Sequence, residues 1–139
     1  MNKVIGLWGV ASTGKTTTLN LLIDLLEVAT TDCPMPTPQP ERVERRKAFI
    51  YNGFKIGIAT GGDTDDIVKE NCAFFDDEKC DIVFSATRKR YDSGSHIELT
   101  NYAERFGLSV TWIEKDTDTT SRTKYIVNLQ QALDLLDMI

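Results

Sequence analysis

The chain is poor in the features that mark several large classes of protein. Its 139 residues include one histidine, His96, and three cysteines, Cys33, Cys72 and Cys80, with no C-x-x-C spacing. A structural zinc site needs paired sulfur or imidazole ligands, which this set does not supply. An odd, scattered cysteine count reads as reduced, ordinary residues rather than a disulfide framework. No apolar stretch approaches the run of about 20 residues that crosses a bilayer. Met1-Asn2-Lys3 leads straight into a strand-like run with no secretory leader. A soluble, cytoplasmic protein with no membrane partner is the expectation. Basic residues are in deficit, 16 against 21 acidic ones, and the net charge of −5 argues against general binding to nucleic acid or to an anionic membrane. Proline is confined to Pro34, Pro36, Pro38 and Pro40. Their alternation excludes helix and central strand from residues 30–40 and leaves an extended loop, either a plain connector or a mobile segment beside the site that precedes it. With no internal repeat and no linker, residues 1–139 read as one domain.

Against these absences one segment stands out. Gly9-Val10-Ala11-Ser12-Thr13-Gly14-Lys15-Thr16 fits G-x-x-x-x-G-K-[ST] at each fixed position. It lies between an apolar strand-like run over 4–8 and a helical pattern over 16–27, the strand-loop-helix setting that a phosphate-binding loop requires. Glycines let the backbone wrap closely around an anion, so that consecutive N–H groups and the helix N-terminus point at phosphate oxygens. The residues expected around a nucleotide are therefore Gly9, Ala11, Ser12, Thr13, Gly14, Lys15, Thr16 and Thr17. Lys15 should reach the outer phosphates, and Thr16 should place its hydroxyl on Mg²⁺. The bland alternative is a strand-to-helix turn with a surface lysine.

Two strand-like runs, over 45–51 and 54–60, flank Asn52-Gly53, which predicts an antiparallel hairpin with a type I′ turn. A helix is expected over 63–75 with Asp63 as a candidate cap, then a buried strand over 81–86. Ser95-x-x-Glu98 reads as a capping box for a helix through residue 106, stopped by Gly107. A strand over 108–114 and a helix over 118–138, with Ile126, Leu129, Leu133 and Leu136 as its apolar face, complete the chain. That face serves equally for packing on its own sheet or on another subunit. The order β-α-β-β-α-β-α-β-α implies an α/β fold, a mostly parallel sheet covered by helices with one antiparallel edge strand. Ligands of such sheets sit at the carboxyl ends of the strands. The phosphate loop, Gly61-Gly62-Asp63 and the segment 87–94 should thus converge on one rim.

A magnesium ion beside a nucleotide takes oxygen ligands, and Asp63, after an apolar strand and two glycines, is the first candidate; Asp65 and Asp66 are weaker ones. Helix capping and dipole complementation account for all three equally simply. Arg88, Lys89 and Arg90 form a basic turn in an acidic protein. Phosphoryl transfer demands positive charge around the moving group, so Arg88 or Arg90 is a candidate lid residue; a solvated turn or a contact for an acidic partner is the alternative. Arg42, Arg45, Arg46 and Lys47 form a second basic cluster, read as a charge-protected edge or an aid to an acidic substrate. His96 reads as a helix-start residue, and Trp8, Tyr51, Phe54 and Trp112 as packing residues.

On the Gly9 to Thr16 motif and the order of elements, the chain resembles P-loop NTPases. The resemblance implies a three-layer sheet fold, a bound nucleotide with Mg²⁺, catalytic roles for Lys15, Asp63, Arg88 and Arg90, and metal ligation by Thr16 and Asp63. The hairpin and the Gly-Gly-Asp end of the third strand are similar to small GTPases. The D-x-x-G order is not kept, however, and no Asn-Lys-x-Asp guanine motif occurs, which makes ATP the expected nucleotide over GTP. The basic turn is similar in placement to the lid of nucleotide and small-molecule kinases. Two functions follow as expectations. One is Mg-dependent transfer or hydrolysis of the γ-phosphate, in one version by a small kinase with a small-molecule acceptor. The other is a regulatory nucleotide-binding switch or assembly subunit acting with a protein partner, as one copy or an oligomer.

Overall fold

The apolar runs assemble into one five-stranded sheet. In chain order the elements are β1 (Lys3–Trp8), α1 (Lys15–Thr30), β2 (Arg46–Tyr51), β3 (Phe54–Ala59), α2 (Asp65–Asp77), β4 (Ile82–Thr87), α3 (Gly94–Glu104), β5 (Val110–Glu114) and α4 (Lys124–Leu136). The computed structural model describes residues 1–9, 14–30, 44–88, 93–117 and 124–139. The sheet order is β2-β3-β4-β1-β5. Every neighbouring pair is parallel except β2 and β3, so β2 is the antiparallel edge expected from the hairpin. Asn52 and Gly53 both have positive φ, 53° and 81°, as a type I′ turn requires.

Strand alternation divides the core in two. Ile5, Leu7, Ile56, Ile58 and Phe84 point to one face, where Leu19, Leu22, Ile23 and Leu26 of α1 and Ala132 and Leu135 of α4 cover them. Val4, Ala59 and Val83 point to the other, against Val68 and Phe75 of α2 and Leu99, Tyr102 and Ala103 of α3. The result is three layers, with helix pairs α1–α4 and α2–α3 on opposite faces. All six residues of β4 are buried, in keeping with a central parallel strand whose sequence is nearly continuously apolar. Among the described residues no helix is long and apolar enough to cross a membrane.

Three local readings need correction. Asp63 does not cap α2: Thr64 does, its hydroxyl accepting from the Ile67 N–H at 3.2 Å. Ser95 does not open α3: Ser93 is the cap, accepting from the His96 N–H at 3.3 Å, and Ser95 falls in the first turn. In each case a competing hydroxyl one or two positions away has the extended backbone that an N-cap needs. The face of α4 is also different. Asn128, Gln131, Ala132 and Leu135 are buried, whereas Ile126 is 63% and Leu133 38% exposed. Residues 118–123 of the expected helix, the proline-bearing segment and Cys33 lie outside the described residues. Cys72 and Cys80 are free and buried, and burial pushes their thiols up to about 12 and about 11.

Gly107 ends α3 as expected: its N–H donates to Glu104 O and the Leu108 N–H to Ala103 O. The same pair of bonds ends α2, from Lys79 to Asp76 O and from Cys80 to Phe75 O, yet Lys79 holds φ 55° with a side chain present. Lys79→Gly should therefore stabilise the protein by about 0.5–1 kcal/mol, read as a shift in the urea midpoint at unchanged slope.

Candidate functional site

Because β1, β3, β4 and β5 run parallel, their carboxyl ends bring Gly9, the segment 60–63, Thr87-Arg88 and Lys115 to one rim. Lys15 and Thr16 enter it from the start of α1. Lys15 is only 6% exposed, and its Nζ donates to Gly9 O at 2.5 Å. Burial pushes its pKa below the ordinary lysine value; Asp63 draws it back up, and Arg88 lowers it further. Asp63 and Arg88 follow the ends of β3 and β4, on the same rim as the motif lysine. The two also pair with each other, Arg88 Nε to Asp63 Oδ1 at 3.4 Å, with both side chains close to half exposed. Released from capping, Asp63 is thus committed to an exchangeable surface pair. Thr16 Oγ1 donates to Thr60 O at 3.1 Å, tying the first turn of α1 to the end of β3.

Of the residues expected at the site, Gly9, Gly14, Lys15, Thr16, Thr17, Asp63 and Arg88 are described and lie on or beside this rim. Ala11, Ser12, Thr13, Lys89 and Arg90 lie outside the described residues. Asp65 and Asp66 occupy the first turn of α2, Asp65 Oδ1 accepting from the Asp66 N–H at 3.0 Å, where they complement the helix dipole. Of the second basic cluster, Arg42 lies outside the described residues, and two others form ion pairs. Arg45 pairs with Asp24 at 3.3 Å and Arg46 with Glu70 at 3.0 Å.

Beyond the expected residues, Asn128, Gln131, Lys115 and Thr87 also shape the rim. Gly14 has φ +92°, and a Cβ there would lie 3.2 Å from Asn128 Oδ1, which also accepts from Thr18 Oγ1 at 3.3 Å. Asn128 therefore braces the first turn of α1. Gln131, one turn further along α4, accepts from the Asp116 N–H at 2.9 Å and donates to Glu114 O at 2.8 Å. Lys115 is 4% exposed; its N–H donates to Trp8 O at 2.8 Å and its Nζ to Asp116 O. Burial lowers its pKa, as it does for Lys15. Thr87, fully buried at the end of β4, has a hydroxyl with no hydrogen-bond partner among the described residues. The signal for the α4 pair was present: Asn128, Gln131, Ala132 and Leu135 follow the i, i+3, i+4, i+7 spacing of one helix face. It was masked by the polar identity of the first two.

Asn71 holds the rim together from beneath. Its Nδ2 donates to Gly61 O at 2.8 Å and Ser85 Oγ at 3.2 Å, and its Oδ1 accepts from Arg46 Nε at 2.7 Å. Asn71→Ala leaves those groups short of partners in a buried setting and should cost about 2–3 kcal/mol in urea unfolding.

His96 stacks on Trp112 with ring centroids 3.8 Å apart and planes 7° from parallel. Burial lowers its pKa below 6.5. With the folded pKa below the unfolded one, the unfolded chain takes up the proton first as the pH falls through 6.5. Stability should therefore be lost on acidification from that point, and a His96→Phe variant, which keeps the stack, should lose less in melts across the same range.

Among the described residues no group of three or more His, Cys, Asp or Glu is placed to hold a metal ion. Comparison of the chain with protein-family models, curated proteins and solved structures gave no match.

Proposed function

We propose that this rim binds ATP with Mg²⁺ and that the protein transfers or hydrolyses the γ-phosphate, in the manner of a P-loop NTPase. The observation that carries the reading is Lys15. A motif lysine is buried with a lowered pKa, and its ammonium rests on the carbonyl of Gly9, the first residue of its own loop. A phosphate is a stronger partner for an ammonium than a neutral carbonyl is. Lys15 and the amides of the loop neutralise the phosphates, and Arg88, with Arg90 beside it in sequence, stabilises charge that develops on the moving group. Thr16 and Asp63 are chemically suited to Mg²⁺: both offer hard oxygen donors, and this ion commonly takes one or two protein oxygens and completes its shell with water. Bound there, it would supply further positive charge to the phosphates. Release of Asp63 from Arg88 frees the carboxylate and the guanidinium together, so one exchange serves two roles.

The test is a nucleotide panel followed by calorimetry with and without Mg²⁺, with product analysis on the same samples. ATP is expected to bind in a Mg-dependent manner and more tightly than GTP. No saturable binding of either nucleotide would end the reading.

A second reading, a nucleotide-dependent switch or assembly subunit with a protein partner, is favoured by the exposed apolar side chains of Tyr125, Ile126 and Leu133 on α4. Hydrolysis that rises with protein concentration or on addition of a second protein would support it over the kinase. Label passing from ATP to a metabolite would count against it.

A further inference from the structure

Beside the rim, where the chain enters β2, a cleft of about 290 Å³ opens between the end of β3 and α2. Glu44, Arg45, Arg46 and Gly61 line one side of it and Glu70 and Asn71 the other, with Ile67 as an apolar contribution. It shares the end of β3 with the proposed nucleotide site. Gly61 follows Thr60, whose carbonyl receives the Thr16 hydroxyl, and Thr60 also pairs with Arg45 through both its N–H and its Oγ1.

Most of the polar groups in the lining are already engaged. Arg45 donates from Nε to Asn20 Oδ1 at 2.8 Å and pairs with Asp24. Arg46 donates to Asn71 and pairs with Glu70. Asn71 spends its amide on Gly61 and Ser85. Glu44 differs, since among the described residues it has neither an ion pair nor a hydrogen bond. Its carboxylate lies over Gly61, the oxygens 2.7 and 3.1 Å from where a Cβ would stand. Among the described residues of the lining, Glu44 is thus the one ionised side chain with no partner, a negative hydrogen-bond acceptor. Anions are disfavoured, and a hydroxyl or ammonium donor is matched. The volume is near the lower end for ligand pockets, which suits a compound about the size of a monosaccharide.

We propose that this cleft is the acceptor site for phosphoryl transfer and takes a small hydroxyl compound that is uncharged or cationic, an inference that rests on the ATP reading above. The hydroxyl donates to Glu44. Its oxygen forms a bond to the terminal phosphorus of ATP while the bond from that phosphorus to the bridging oxygen breaks. ADP leaves with the electron pair, and the hydroxyl proton passes to the Glu44 carboxylate and on to water.

The experiment titrates the full chain with glycerol, D-ribose, adenosine and choline, and with citrate and 3-phosphoglycerate as anionic counterparts, by saturation-transfer NMR without nucleotide. ³¹P NMR with Mg-ATP follows on the same samples. At least one of the first four compounds should bind saturably and become a phosphomonoester. Glu44→Gln should weaken that binding about tenfold, as expected for loss of a charge-assisted hydrogen bond. Ile67→Trp, which fills the cleft from a partly buried position on α2, should abolish it. Thermal melts confirm that both variants fold, and both should retain Mg-ATP affinity. Binding of none of the four, tighter binding of the anions, or unchanged affinity in Glu44→Gln overturns the proposal. Loss of the nucleotide reading looks different: the cleft still takes its hydroxyl compound, but Mg-ATP does not bind.

Discussion

Lys15→Ala is expected to weaken Mg-ATP binding by roughly 100-fold or more, the equivalent of about 3 kcal/mol, because it removes a buried cation from the phosphates. The same change should not unfold the protein. In the free protein the Lys15 ammonium is held in a desolvated place that pushes its pKa down, with one charge nearby that helps and one that opposes. Lys15→Met keeps the aliphatic packing and removes the cost of burying charge, so it should lose nucleotide affinity equally while its urea midpoint stays level or rises.

The titration of Lys15 gives this prediction a sign. Its folded pKa lies below 10.5, so on raising the pH towards 10.5 the folded protein gives up a proton that the unfolded chain still holds. Stability of the free protein should therefore rise with pH through that window, relative to Lys15→Met. The buried Lys115 contributes in the same direction in both proteins and cancels from the comparison. Nucleotide binding has the opposite dependence. Phosphates favour the charged lysine, so affinity should be greatest below the depressed pKa and fall above it. Calorimetry in two buffers of different ionisation enthalpy should detect proton uptake on binding at alkaline pH. Proton-neutral binding there, or Lys15→Ala with unaltered affinity, would remove Lys15 from the role.

Gly62→Ala should be the most damaging single methyl in the rim. A Cβ at Gly62 would collide with the carbonyl oxygen and carbon of Ala86, which are backbone of the central strand β4 and cannot swing aside. Relief requires the end of β3 to move off β4, which strains the Asn71 bonds to Gly61 O and Ser85 Oγ. A loss of about 3 kcal/mol is expected, at the upper end for overpacking. Gly61→Ala is the internal control. There the nearest atoms to the added methyl are those of the Glu44 carboxyl, the mobile end of a surface side chain, and the cost should stay below about 1 kcal/mol. Equal urea midpoints for the two variants would show that the close approach of β3 to β4 is not what makes glycine necessary at 62. Since Asp63 and Thr60 flank this pair, Gly62→Ala should also impair Mg-ATP binding, and Gly61→Ala should not.

The elements legible in the sequence were those set by local rules. Asn52-Gly53 between two apolar runs fixes a hairpin because few other dipeptides tolerate two successive positive φ values. The run 81–86 reads as a buried strand because it is mostly apolar, and the structure places β4 there, over Ile82–Thr87. Helix starts were less secure. Thr64 and Ser93 each won over a neighbour, Asp63 and Ser95, by backbone geometry that composition does not encode. The consequence reached the site, since losing the cap is what leaves Asp63 facing Arg88.

The order of elements, the antiparallel edge and the set of strand ends that must share a rim follow from the chain's hydrophobic periods and turn residues alone, because those are short-range properties. The strand order β2-β3-β4-β1-β5, the burial of Lys15, the pairing of Asp63 with Arg88 and the inward turn of Asn128 and Gln131 do not. Each depends on which parts of the chain meet once the sheet and its helices have assembled. Asn128 and Gln131 make the difference plain: by polarity they belong outside, and they lie inside because α4 lands on α1 and β5, where Thr18, Asp116 and Glu114 offer them partners.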